Sequence, residues 1–177
     1  VILWFVKKYA SYYRFSKKMH GCTYRGEQMT SEVLLKVQGL QIAPGEESEA
    51  IEVIAPGEYY FRNGKHYFLY DEVMEGQEES TRNIIKVRND YMELTKKGVV
   101  NVHMVFEKNK QNVTYYYTPY GGLQIGIDAE RVSVDERDEE IQVEVLYGLD
   151  INNEHLANCR ITLTAVPRGS RHFTLLS

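Results

Sequence analysis

From Ser31 onward, apolar residues recur at every second position. Val33, Leu35 and Val37 alternate with Leu34, Lys36 and Gln38, and Ile51 and Val53 resume the period after an acidic stretch containing Pro44-Gly45. Successive side chains of a strand point to opposite faces, so a period of two predicts β-structure with one apolar face rather than helix. Asn63-Gly64 separates two aromatic-rich segments, and this dipeptide tolerates the positive φ that a type I′ hairpin turn requires at both central positions. The turn sets the register: Phe61 faces His66, and Tyr59 faces Phe68. Further strands are predicted over 81–87, 91–95, 99–107, 113–118, 123–127, 141–149 and 159–165. The breaks between them fall at Asn89-Asp90, Lys97-Gly98, 109–112, 119–122, 135–140 and 150–154, and Pro56-Gly57 is read as a break or bulge ahead of Glu58. In 99–107, Val100, Val102, Met104 and Phe106 share one face, which leaves His103 to solvent.

Roughly nine or ten short strands at this spacing predict an all-β barrel or sandwich in one domain. Closing the sheet removes edges that would otherwise need protection. A barrel of about eight strands encloses packed side chains or one small ligand.

Composition sharpens this picture in two places. Tyrosine is abundant, with 14 residues against one Trp and six Phe, and suits half-buried pleated surfaces. The net charge of −4 is split: residues 1–28 hold six basic residues and one acidic, leaving 15 basic against 24 acidic for the rest. An acidic body does not attract polyanions, so no nucleic-acid partner is expected. No apolar run reaches the ~20 residues that span a membrane. Cys22 and Cys159 lie far apart without metal-ligand spacing, which predicts a reducing, cytoplasmic setting, no metal and no cofactor.

Residues 1–28 show neither sustained alternation nor a helical stripe, and their apolar start precedes the charges, contrary to a signal peptide. One codon choice for Arg25-Gly26-Glu27-Gln28 places a ribosome-binding purine run just before Met29. The segment is therefore expected to be translated upstream sequence or a disordered extension, and 29–177 the folded domain.

Several short motifs recur together: Gly57, Tyr59-Tyr60, Lys65, Tyr67, Tyr70 and Glu72 of the hairpin, Thr81, Ile85-Lys86-Val87, Gly98, Met104, Phe106, Tyr117-Thr118-Pro119-Tyr120-Gly121, Tyr147 and Ile161-Thr162. In these the chain resembles the YwiB-like family of small bacterial domains across most of 33–166. The resemblance implies a single antiparallel calycin- or lipocalin-like β-barrel of about 8–10 strands. The family carries no known catalytic residues, so none is implied here.

Candidate chemistry gathers on the hairpin. Tyr59, Phe61, His66, Phe68, Tyr70 and, in line, Glu72 share its more apolar face, which is expected to point inward. Such a face either fills a core or walls a small-molecule site with few polar groups. An inward carboxylate needs a partner, and Lys86, Arg82 and tyrosine hydroxyls are the candidates. Lys86 and Tyr117 complete the candidate ligand-binding set. The histidines form no metal site, and no phosphate loop, zinc-protease or nucleophile-elbow motif occurs. The leading reading is a soluble, non-enzymatic barrel binding a small, partly apolar ligand. A filled barrel serving as a structural or protein-interaction module is the alternative, and an enzyme using Glu72 as acid or base comes third.

If translation starts at Met29, a chain beginning there melts within a degree or two of the full chain. A loss of several degrees would show that residues 1–28 pack on the barrel.

Overall fold

Ten strands build the molecule: β1 (Ser31–Ile42), β2 (Ala50–Arg62), β3 (Lys65–Val73), β4 (Ser80–Arg88), β5 (Tyr91–Lys97), β6 (Val102–Glu107), β7 (Gln111–Thr118), β8 (Gly121–Arg137), β9 (Glu140–Ile151) and β10 (Glu154–Pro167). The computed structural model describes residues 31–42, 50–73, 80–98, 101–118, 121–168 and 170, without the side chains of 116–118 and 121. The upstream segment 1–28 lies outside the described residues. The strands form one antiparallel sheet in the order β6-β5-β4-β3-β2-β1-β10-β9-β8-β7. Consecutive strands thus lie side by side except β6 and β7, which form the two edges, and with β1 paired to β10 the sheet curls into a nearly closed up-and-down barrel. Among the described residues there is no helix, and none long and apolar enough to cross a membrane.

The turns are made where left-handed backbone costs little. Asn63 and Gly64 have φ of 52° and 70°, and Asp90, Asn109, Asn152 and Asn153 are also positive. Asn, Asp and Gly tolerate that region best. The hairpin register is the expected one, with Phe61 opposite His66 and Tyr59 opposite Phe68. Because the chain meanders, the β1–β2, β3–β4, β5–β6, β7–β8 and β9–β10 connections gather at one end of the barrel. The β2–β3, β4–β5, β6–β7 and β8–β9 turns gather at the other.

One apolar cluster fills the interior, drawn from nine of the ten strands; Phe68, Phe106, Leu35, Met92, Ile127, Leu149 and Leu163 are its largest fully buried members. Tyr147 stands edge-on to Phe106 at 5.0 Å and lies opposite Cys159. Burial pushes both the phenol and the thiol above their ordinary pKa. The alternation read for β6 holds: Val102, Met104 and Phe106 are buried and His103 is exposed, beside Thr95.

Two local readings are corrected, and one irregularity is added to them. Pro56-Gly57 is neither break nor bulge, since β2 pairs with β1 straight through it, Leu34 opposite Pro56 and Val33 opposite Gly57. Gly57 is there for want of room: an added Cβ would sit 2.6 Å from the Leu69 carbonyl oxygen and 2.7 Å from Leu35 Cδ1. Nor is 135–140 a loop, because β8 runs to Arg137 and only Asp138 and Glu139 separate it from β9. Asp135, Arg137 and Glu140 are outward strand positions, Asp138 and Glu139 make the turn, and Glu136 keeps the parity of Val132 and Val134 at the barrel rim, where it meets His66. Finally, a bulge between Ala129 and Arg131 admits Glu130 as an extra residue, and so Ala129 and Val132 both face inward.

Met104→Ala and Ile125→Ala remove side chains that are 4% and 2% exposed, and each is expected to cost about 2–5 kcal/mol in denaturant unfolding. His103→Ala is expected to stay within about 0.5 kcal/mol. Equal losses at 103 and 104 would invert the assigned faces.

Candidate functional site

The same alternation that buries Ile85 and Val87 also turns Thr81 and Asn83 inward, and the phase of Met92 and Leu94 carries on to Lys96. On β3 the inward set ends in Glu72. Register brings these polar groups together: Glu72 lies opposite Thr81, Tyr70 opposite Asn83, and Asn83 opposite Lys96. A four-residue polar cluster therefore sits inside the barrel, near the end where the β3–β4 and β5–β6 connections emerge. Glu72, Thr81, Asn83 and Lys96 are 4%, 1%, 0% and 7% exposed.

Lys96 Nζ donates to Glu72 Oε2 at 2.6 Å. Asn83 Nδ2 donates to the same oxygen at 3.3 Å and to the Thr81 carbonyl at 3.1 Å. Both of those partners are acceptors, which fixes the amide orientation and leaves Asn83 Oδ1 facing elsewhere. Asn83 Oδ1 and Thr81 Oγ1 are buried without a hydrogen-bond partner among the described residues. An orphaned buried polar atom costs on the order of 1–3 kcal/mol. A buried ion pair rarely adds stability over well-packed apolar residues of the same volume. The cluster is thus poorly explained as a device for stability alone.

The sheet is split beside it. The β2–β3 ladder ends at Gly57 opposite Tyr70; beyond that pair, β2 bonds only to β1 and β3 only to β4. Pro56, which has no N–H to offer, stands at the end of the ladder. Gly98, at the end of β5, has φ of +139° and lies against the Ser80 carbonyl oxygen, so a side chain there would collide with the start of β4.

The aromatic face read from the sequence does not form a single compact pocket. His66 and Glu72 are six residues apart on one strand, about 20 Å at the usual rise. At the far end Tyr59 Oη lies 3.2 Å from His66 Nδ1, and the Tyr59 ring tilts against Phe68 with centroids 5.2 Å apart. His66 Nε2 lies 3.6 Å from Glu136 Oε1. Burial lowers the His66 pKa below the ordinary imidazole value, against an opposing pull from Glu136. Burial and the same carboxylate raise the Tyr59 pKa. Phe68, Tyr70 and Glu72 are buried as expected, but Phe61, at the rim, is 53% exposed.

Lys86 is corrected as well. Ile85 and Val87 point inward, so Lys86 must point out, where its Nζ meets Glu93 Oε1 at 3.0 Å. That pairing raises the Lys86 pKa. Arg82 is likewise outward and pairs with Asp71 at 2.9 Å. Neither is Glu72's partner. Tyr117 pairs through its backbone with Gly122, and its side chain lies outside the described residues. Sequence reading missed Lys96 and Asn83 and named Thr81 only as a motif residue, although the signal was present: each keeps the inward parity of its own strand. Among the described residues no cluster of His, Cys, Asp and Glu could hold a metal ion.

Comparison with known proteins adds the following. The family model described as Domain of unknown function (DUF1934) matches residues 35–163. No curated protein matches the chain. The crystal structure of the ywiB protein from Bacillus subtilis is similar in fold, with a TM-score of 0.62 and 23% identity over 80% of this chain and 94% of that one.

Removing one member of the buried pair leaves a lone charge in the core. Lys96→Met is expected to cost about 3–5 kcal/mol, and Glu72→Leu with Lys96→Met together far less. A double-mutant cycle by urea unfolding checks this; additive losses would show that the two groups do not act as a pair.

Proposed function

The chain belongs to the DUF1934 family, and from that premise we propose that its barrel binds one small, largely apolar molecule by a hydrogen-bonding head. The head would meet Asn83, Thr81 and Lys96 around Glu72, and the body would lie against inward side chains such as Tyr70 and Val102. The observation that carries this reading is the pair of orphaned atoms, Asn83 Oδ1 and Thr81 Oγ1, beside the buried Glu72–Lys96 pair. Asn83 Oδ1 accepts only, Thr81 both donates and accepts, and Lys96 has N–H groups beyond the one bound to Glu72. A hydroxyl or primary amide offers the matching donor and acceptor. Few polar groups in an apolar wall is the usual composition of a small-molecule site. Cys159, free and buried, suits the reducing interior of a cell, and we place the protein in the cytoplasm.

The second reading, a filled barrel with a structural role, is favoured by the bulk of Phe68, Phe106 and Met92 in the core. Thr81→Val separates the two. It keeps the shape and removes an unsatisfied hydroxyl, so its melting temperature is expected to stay level or rise, by roughly 2–4 °C per kcal/mol gained. Mass retained beyond the polypeptide, measured by native mass spectrometry of protein from its host, is expected in the parent and reduced in Thr81→Val and Asn83→Leu. A parent without retained mass, together with a Thr81→Val that loses stability, would establish the filled barrel instead.

A further inference from the structure

The outer face of β2–β5 carries an arrangement of charge that the net charge conceals. Arg62 lies opposite Lys65 across β2 and β3. Lys65 and Arg88 fall one step beyond the His66–Val87 pair of β3 and β4, and Arg88 lies opposite Tyr91 on β5. Three cations thus stand side by side along one edge of the face. Like charges on adjacent strands repel, and such a row normally gains carboxylates to relieve it. Here, among the described residues, none of the three has a carboxylate partner. Lys65 Nζ sits 5.1 Å from the Tyr91 ring centroid and the Arg88 guanidinium 5.3 Å from it, both held on the aromatic ring instead. The acids nearby already have their own lysines: Glu93 with Lys86 at 3.0 Å, Glu107 with Lys110 at 2.7 Å and Asp90 with Lys108 at 3.2 Å.

The next row on the same face starts with an aromatic pair and ends in the Lys86–Glu93 ion pair. Tyr60 and Tyr67 stack with centroids 4.7 Å apart and planes 10° from parallel. Both rings are partly exposed, and Phe61 lies exposed at the same end of the barrel. Unpaired cations one row from upright aromatic rings on an antiparallel sheet are what single strands use: phosphates neutralised on one line, bases stacked on another. The outer face of a β-barrel serves this purpose in the OB-fold.

We propose that the outer face of β2–β5 binds single-stranded nucleic acid, with phosphates on Arg62, Lys65 and Arg88 and a base stacked on the Tyr60–Tyr67 pair. The expectation of no such partner rested on the average charge of the body, whereas this row is local. The proposal does not depend on the barrel's interior ligand. A duplex is disfavoured because its bases are not free to stack. An anionic membrane is disfavoured because the face offers paired tyrosines rather than an apolar wedge.

The test is fluorescence anisotropy of a labelled 12-nucleotide oligothymidylate titrated with the full chain. Binding is expected with Kd at or below about 100 µM at ~50 mM salt, the range of non-specific contacts, and with a log–log salt slope near −2 for three phosphates. Arg62→Gln/Lys65→Gln/Arg88→Gln is expected to lose at least about tenfold and most of the salt slope. Tyr60→Leu is expected to weaken binding about fivefold or more, and Tyr60→Phe, which keeps the ring, to restore it. Absence of binding at 100 µM protein would overturn the proposal, as would an unchanged triple variant or a Tyr60→Leu equal to the parent. Dextran sulfate competing as well as the oligonucleotide, or preferential binding to phosphatidylserine vesicles, would overturn it too.

Discussion

Closure is the constraint on which this barrel depends. A ten-strand meander must bring β6 and β7 together at its seam, yet in the described residues no ladder joins them, and only Glu107, the last residue of β6, bridges to Lys110 just ahead of β7. The bulge at Glu130 does the rest. By bending β8 it sets the two sides of the bulge against different turns. Asn109 N–H donates to the Ala129 carbonyl at 3.0 Å, Asp90 N–H to the Val132 carbonyl at 2.9 Å, and Val134 N–H to Asn89 Oδ1 at 3.0 Å. Asp90 and Asn109 can aim these groups because both hold positive φ, with values of 64° and 61°. Beyond the clamp β8 continues to Glu136, which reaches His66. The two ends of the barrel are consequently unlike: one is tied shut through backbone hydrogen bonds, and the other carries the polar cluster.

Much of this was legible in the sequence because β-structure obeys parity. Once Asn63-Gly64 fixed the first hairpin, the shared face of Tyr59, His66, Phe68, Tyr70 and Glu72 followed, and the period of 99–107 separated Met104 from His103. The failures have the same origin. Lys86 and Arg82 were offered as partners for Glu72, but Ile85 and Val87 claim the inward parity of β4 and exclude both. Lys96 shares the inward parity of Met92 and Leu94, and was passed over because the turn read at Lys97-Gly98 ended the predicted strand at Thr95, two residues too early. Glu130 was invisible for a different reason: a bulge shifts the phase without leaving a composition signal. Gly57 looked like a turn residue and proved to be a packing residue, since close approach of Leu69 and Leu35 is a tertiary fact that no local pattern encodes.

The interior cluster is set against the rest of the core by its energetics. Apolar burial contributes about 25 cal/mol per Å², whereas an ion pair in the same place roughly breaks even and two orphaned atoms cost outright. A core selected for stability alone would replace Thr81 by Val and Asn83 by Leu. Their presence signals that a polar group is needed in that position. Width points the same way: eight strands make a barrel that side chains just fill, and ten make a wider one. Phe68, Phe106 and Met92 take up much of that width, and the polar groups stand toward the end beyond them.

The outer face follows the same logic with the signs reversed. Inside, charge is paired although pairing costs desolvation; outside, charge is left unpaired although carboxylates are plentiful, with 25 acidic residues against 21 basic in the chain. Chance placement on so acidic a surface would tend to give each cation a carboxylate, as Lys86, Lys108 and Lys110 have. Arg62, Lys65 and Arg88 instead adjoin one another, and two of them are held on Tyr91. Local consistency is the rule in natural sequences, and departures from it concentrate where function makes its own demand. Two such departures among the described residues lie in the core around Asn83 and on β2–β5. β3 and β4 pass through both places: Glu72, Thr81 and Asn83 face inward at one end, and Lys65 and Arg88 face outward at the other.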